Sequence, residues 1–304
     1  MATLRQLEYL VTVVDGGSFT RAAELLHVTQ PALSHQIRAL ERSLGGPLLD
    51  RLPRGVRLTP AGRAMLPHAR AALADVERAR SAARRASGLE EGELQLATVY
   101  SVSLGVLPPV LRVWRREHPG VRVRLVEFRH TGELRAAMAA GQADLAVGPP
   151  PGEWDGPVRV LGVEEFVVVV PADDPLAGGG ADRVELSALA DRGWVHYAPG
   201  NGLAEVLDGA CAAAGFTPRV AVRTEQTAAA APLAATGLGP ALVPANVVPP
   251  RFDGRLLRPS PPVTRPLVAY ARTRPDALAS AFVEVLARHA RTERGPGGDG
   301  TGDP

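Results

Sequence analysis

The sequence predicts a multidomain protein: an N-terminal winged helix-turn-helix, a long linker helix, and a C-terminal α/β domain of two subdomains. Three observations carry this. Residues 18–58 hold two short helical patterns, a three-residue turn and a hairpin pattern. Residues 59–88 make one helical run with a stripe of small residues. From Leu94 onward, strand and helix patterns alternate.

The second helix of the N-terminal pair is the best defined. Leu33, Ile37, Leu40 and Leu44 recur at spacings of four, three and four, so one stripe faces a core. Thr29 is a good N-cap, and Pro31 fits the first turn, where no backbone donor is needed. The opposite face carries Gln30, Ser34, His35, Arg38 and Arg42. Such mixed hydrogen-bonding groups suit the DNA major groove, whose base edges offer both donors and acceptors. The preceding helix runs from Ser18 or Thr20 to Leu26, with Ala22 and Ala23 allowing a close crossing. His27, Val28 and Thr29 make the turn, giving a helix-turn-helix with the second helix as reader. The plain alternative is a helical hairpin that merely packs. In front, Leu4, Leu7, Val11 and Val14 make a first amphipathic helix, ended by Gly16-Gly17.

Leu48 to Asp50 and Val56 to Leu58 read as short strands around Leu52-Pro53-Arg54-Gly55. The hairpin puts Arg54 at its tip and Arg51 and Arg57 on its arms. An arginine tip suits the narrow minor groove, where negative potential is strongest. A solvated hairpin is the alternative.

These residues carry a resemblance. Leu4-x-x-Leu7, Ser18-Phe19-Thr20-x-Ala22-Ala23, Thr29-Gln30-Pro31-Ala32-Leu33-Ser34, Ile37-Arg38-x-Leu40-Glu41, Leu44-Gly45 and Leu58-Thr59-Pro60-Ala61-Gly62 together resemble the LysR-type transcriptional regulators. The resemblance implies that Gln30, Pro31, Ser34 and His35 contact DNA, and that Arg54 reaches the minor groove. Two positions depart from the family pattern: His35 stands where Arg is common, and Leu49 where Phe is common. The first would soften base readout or make it pH-sensitive; the second is a core swap.

Composition sets the outer bounds. A chain of 304 residues holds two or three domains with real cores. Apolar content of 45% and mean hydropathy near zero suit a soluble protein. No apolar run is long enough to span a membrane, and the N-terminus lacks a signal peptide's basic-then-apolar design, so a cytoplasmic protein is expected. The single cysteine, Cys211, excludes an internal disulfide and a cysteine metal cluster. Net charge is only +2, yet residues 1–66 hold eight arginines against five acids.

After the wing, Thr59 caps and Pro60 opens a helix expected to run, with no breaker stronger than Gly62, to about Ser87-Gly88. Roughly 28 residues make a rod about 42 Å long. Gly62, Ala69, Val76 and Ala83 share a heptad position, with Met65, Ala72 and Ala79 beside them. The stripe can be buried against a second subunit or against the helix's own domain; the family resemblance implies a dimer through this helix, often assembled into a tetramer. A dimer would present two recognition helices to a quasi-palindromic site.

Glu90-Glu91-Gly92 is a polar hinge. Beyond it come strands over residues 94–99, 121–128 and 143–148, alternating with helices over 107–118 and 133–140. A second set has strands over 166–170, 194–197, 220–223 and 242–243, and helices over 203–214 and 227–236. Residues 266–271 read as one more strand and 277–292 as a terminal helix. The alternation predicts a parallel sheet covered on both faces. Its order resembles the periplasmic-binding-protein-like effector domain of the same family. The expected domains are residues 1–58 for DNA binding, 59–88 for the linker and dimerisation helix, and 93–292 for effector binding. Within the last, subdomain I takes about 93–162 and 268–292, and subdomain II about 163–267. Residues 293–304 are expected to be disordered.

In an open α/β sheet, ligands bind outside the carboxyl ends of the strands, near helix N-termini. Ser101 and Ser103, then His130-Thr131-Gly132, then Pro199-Gly200-Asn201-Gly202 occupy such positions. Free backbone N–H groups and hydroxyls there suit a carboxylate or another small polar anion, with Arg129 as a further charge. The resemblance implies that Ser101, Ser103, Thr131, Asn201 and Gly202 line the effector cleft; helix caps are the alternative. No catalytic constellation is present, the histidines show no metal spacing, Gly178-Gly179-Gly180 lacks the following residues of a phosphate loop, and Cys211 is a small core residue. No enzyme and no cofactor are therefore expected. The chain reads as a transcriptional regulator that binds operator DNA under control of a small-molecule effector. The rivals are a solute-binding protein with an appended helical module, and a regulator that no longer binds an effector.

Overall fold

The computed structural model describes residues 2–52, 55–86, 92–176, 182–249 and 251–290, with the side chains of all but Arg51, Arg78 and residues 81–86. The wing tip with Arg54, the expected hinge at 90–91 and the tail from 293 lie outside the described residues. Two compact units result: Met1–Gly92 with Ala136–Gln142, and Glu93–Arg135 with Ala143–Pro304.

The first unit holds α1 (Leu4–Gly16), α2 (Phe19–Leu25), α3 (Gln30–Leu44), β1 (Leu49–Leu52), β2 (Gly55–Leu58) and α4 (Pro60–Ala86). Hydroxyls open the helices. Thr3 accepts from the Gln6 N–H, Ser18 from Arg21, Thr29 from Ala32 and Thr59 from Gly62. Leu10, Val13, Ala22, Leu33, Ile37 and Leu40 are fully buried. Glu41 ties the wing to α3, its Oε1 accepting the N–H groups of Leu48 and Leu49 at 2.9 and 3.2 Å.

Three expectations need correction here. Leu44 is exposed, because α3 has reached its last turn and Gly45 reverses the chain at φ 82°. On α1 the buried residues are Tyr9, Leu10 and Val13, while Leu4 is exposed and Leu7, Val11 and Val14 are half-buried. The helix is gripped by α2 and α3 and by α4, so its buried face is centred between these partners. Finally, α4 runs through Pro67, a stronger breaker than the Gly62 counted above. Proline removes one helical hydrogen bond and costs about 3 kcal/mol. Packing offsets this: Gly62 sits against the Leu48 carbonyl, Ala69 is buried, and Arg70 pairs with Asp15 on α1.

In the second unit, together with the segment 136–142, β3 (Glu93–Val99), α5 (Tyr100–Gly105), α6 (Leu107–Glu117), β4 (Arg122–Phe128), α7 (Thr131–Ala139) and β5 (Leu145–Gly148) come first. β6 (Val158–Pro171) and β7 (Arg183–Glu185) follow, then β8 (Gly193–Tyr197), α8 (Gly202–Ala213), β9 (Arg219–Thr224), α9 (Thr227–Ala235) and β10 (Ala241–Pro244). β11 (Gly254–Ser260), β12 (Thr264–Tyr270) and α10 (Ala277–His289) close the chain.

The main sheet has the order β4-β3-β5-β12-β6-β11-β7, with β10 also pairing β6. It is mixed, not parallel throughout. β3 pairs in parallel with β4 and β5, while β12 runs antiparallel to β5 and β6, and β10 and β11 antiparallel to β6. No α-helix separates β10, β11 and β12, and strands joined without a crossover helix are free to run antiparallel. β8 and β9 form their own parallel pair.

The 14-residue β6 joins the two halves of this unit. Its first part pairs with β12, from Val158↔Tyr270 to Glu165↔Thr264; its last part pairs with β10 and β11. The sequence shows only its buried last part, Phe166 to Val170, because Val158 to Val160 are exposed and Arg159, Glu164 and Glu165 interrupt the apolar pattern before it.

Candidate functional site

Two sites emerge. On α3, Gln30, Pro31, His35, Arg38 and Arg42 are exposed on the side away from Leu33, Ile37 and Leu40. Ser34 differs from the expected outward position: it is 4% exposed. Its Oγ accepts from Arg38 Nη2 at 3.2 Å, so it steadies an exposed guanidinium from below. On the wing, Arg57 pairs with Asp50 at 3.2 Å across the β1–β2 register.

The second site is a cleft between the two halves of the effector-like unit. It comprises adjoining cavities of about 450 and 250 Å³. The sequence-derived residues divide between them. Ser103 lines the larger, Ser101, Thr131 and Gly202 the smaller, and Asn201 both.

The helix starts are less open than expected. The Gly202 N–H donates to the Arg129 carbonyl on the opposite half at 3.0 Å, and the Asn201 side chain caps the Leu203 N–H. The Gly132 N–H donates to His130 Nδ1. A Cβ on Gly202 would lie 3.4 Å from that of His130, in ordinary contact, so the two halves meet closely here. The Ser103 hydroxyl is held by the Tyr100 carbonyl and by Glu127.

At the base of the smaller cavity lies a network the sequence reading missed. Arg265 on β12 faces Glu164 on β6 and bonds it through Nε at 3.1 Å and again through Nη2. Arg265 Nη2 also donates to Ser101 Oγ at 2.8 Å, and Asn246 Nδ2 to Glu164 Oε1 at 3.2 Å. Glu164 is buried, and the guanidinium stands 5.6 Å from the Phe166 ring centroid. Ser101 belongs to one half and Asn246 to the other, so the pair links both. The one available signal was a carboxylate interrupting an apolar strand; nothing in the sequence pairs it with Arg265. Nearby, burial holds the Tyr197 phenol well above its ordinary pKa, and its hydroxyl donates to the Leu242 carbonyl. Among the described residues no group of three His, Cys, Asp or Glu is placed to hold a metal ion.

Comparison with known proteins decides what carries these sites. The model for the bacterial regulatory helix-turn-helix protein, lysR family, matches residues 4–63, and that for the LysR substrate binding domain matches 87–291. The chain belongs to the LysR family of transcriptional regulators. It is 36% identical to the HTH-type transcriptional regulator IlvR of Caulobacter vibrioides over 253 residues, 80% of this chain and 83% of that protein. It is 35% identical to the HTH-type transcriptional regulator ShiR of Corynebacterium glutamicum, over 79% and 81% of the two chains. Full-length OxyR from Pseudomonas aeruginosa superposes with a TM-score of 0.72 at 25% identity, covering 95% and 94%. Full-length CbnR complexed with its target DNA gives 0.69 at 27% identity, covering 94% and 99%. The relatives are regulators rather than enzymes. This LysR-type regulator thus joins a DNA-binding unit to an effector-binding unit, and among its described residues no helix is long and apolar enough to cross a membrane.

Proposed function

We propose that this regulator reads double-stranded operator DNA with Gln30, Pro31, His35 and Arg38 of α3, with Ser34 as support and Arg54 in the minor groove. The observation that carries this is the exposed mixed-polarity face of α3, opposite a fully buried Leu33–Ile37–Leu40 stripe. Phosphate contacts supply affinity; base-edge contacts supply specificity. The protein acts in the cytoplasm as a homodimer through α4, and a tetramer is the larger assembly. In support, Gly62 and Ala69 are covered within the chain's own unit, while Ala72, Val76 and Ala79 further along remain partly or fully exposed. The effector sits in the cleft near Ser101, Ser103, Thr131, Asn201 and Gly202, and a carboxylate suits its polar lining. Binding that differs between two subunit arrangements shifts operator affinity or bend.

A fluorescence-anisotropy titration on the DNA upstream of the protein's own gene tests this, with unrelated DNA as control and several salt concentrations. Gln30→Ala should cost about 1–3 kcal/mol on the operator and little on control DNA. Arg54→Ala should weaken operator binding and flatten its salt dependence. Equal losses on both DNAs for Gln30→Ala would refute the base-reading role.

A further inference from the structure

The cleft holds polar groups of two kinds, close together. α9 starts without a side-chain cap. Its first residue, Thr227, is 5% exposed and lines both cavities, and its Oγ1 has no hydrogen-bond partner among the described residues. A buried hydroxyl is seldom left unpaired unless something else occupies the site. The N–H groups opening α8 are taken, as shown above, whereas α9, the longer of α5 and α9, which both start without a side-chain cap, offers an open start. Such a terminus, with a buried, unpartnered hydroxyl beside it, favours an anion. Arg129 lines the same two cavities from the opposite half.

The larger cavity adds the opposite charge. Glu225, two residues before Thr227, and Glu127 both line it. Its remaining wall includes Tyr100, Leu104 and Leu125, three of the large apolar side chains left exposed in this fold. An anion site and a cation site two residues apart, beside an apolar wall, match the bonding pattern of one class of small molecule.

We propose that the effector is an α-amino acid with an apolar side chain. Its carboxylate meets the Thr227 hydroxyl and the α9 N-terminus, with Arg129 across the cleft. Its ammonium meets Glu225 and Glu127, and its side chain covers Tyr100, Leu104 and Leu125. This rests on the reading that the cleft is the effector site.

The test is calorimetric titration of the full chain with L-phenylalanine and L-leucine, and with two truncated probes of the same shape, 3-phenylpropionate and 2-phenylethylamine. At least one amino acid should bind, and both truncated probes should bind about tenfold weaker or less than phenylalanine. Glu225→Gln should weaken the amino acid about tenfold and leave 3-phenylpropionate unchanged, whereas Thr227→Val should weaken both. Equal binding of 3-phenylpropionate and phenylalanine overturns the proposal while keeping the cleft as an anion site. If no apolar amino acid binds below about 1 mM, yet a small-molecule extract of cells shifts the operator complex, the proposal falls and the regulator reading stands.

Discussion

Arg265 and Glu164 face each other across the two strands that pass between the halves of the effector unit, with Glu164 buried beneath the cleft and Arg265 on its floor. A buried pair of this kind adds little net stability over apolar side chains, but removing one partner strands the other charge. Arg265→Met should therefore destabilise the second unit by about 3–5 kcal/mol, and adding Glu164→Leu should recover much of that. All three tryptophans, Trp114, Trp154 and Trp194, lie in this unit, so tryptophan fluorescence during urea unfolding reports on it selectively. A double variant as unstable as the single one would show that the pair acts through packing instead of charge.

Gly62 joins the wing to α4 by having no side chain. A Cβ there would stand 2.1 Å from the Leu48 carbonyl oxygen and 2.9 Å from Leu58 Cδ2. Gly62→Ala should destabilise the DNA-binding unit by about 1–3 kcal/mol and lower operator affinity by disturbing the wing. Gly46→Ala is the control, since a Cβ there meets nothing within 4 Å. Circular-dichroism melting and anisotropy should separate the two variants; equal behaviour would contradict this packing.

What was legible in the sequence follows from how local each signal is. The caps Thr29 and Thr59 and the Leu33–Ile37–Leu40 stripe depend on neighbours within a turn, and they are where the sequence put them. The face of α1 was misjudged because three helices share it. Ser34 was placed outward because its position on the helical wheel lies near the boundary between faces. The cleft residues were found from strand-then-helix order, but Arg265 with Glu164, 101 residues apart, depends on strand pairing that no local pattern encodes. Thr227 was read only as the start of a helix, because an uncapped end is visible only when its surroundings are.

Arg192 and Asp174 give the acid side of the stability profile. The Arg192 guanidinium holds the Asp174 carboxyl below its ordinary 3.8; the Leu176 N–H at 2.9 Å acts in the same direction and burial opposes both. A carboxylate whose folded value is lowered contributes stability above its unfolded value and loses it as pH falls through the folded one. Asp174→Asn should thus cost about 1–2 kcal/mol near neutral pH, with the gap to the parent protein closing below pH 3.8. Urea midpoints at several pH values measure this. A gap that stays constant into strong acid would rule out the charge as its source.

Cys211 lies inside α8 with none of its surface exposed, between the helix and the core of the second half. Burial, helped by the Asp208 carboxylate, pushes its thiol up to about 12. The thiolate is the reactive form, so almost none is present near neutral pH. Iodoacetamide should therefore leave the native protein unmodified over hours at about pH 8 and alkylate it fully once urea unfolds the second unit. Mass spectrometry along a urea series should show the two transitions, alkylation and the tryptophan signal, at the same midpoint. Alkylation well before that midpoint would mean that α8 opens by itself, and that this side of the cleft moves independently of the sheet behind it.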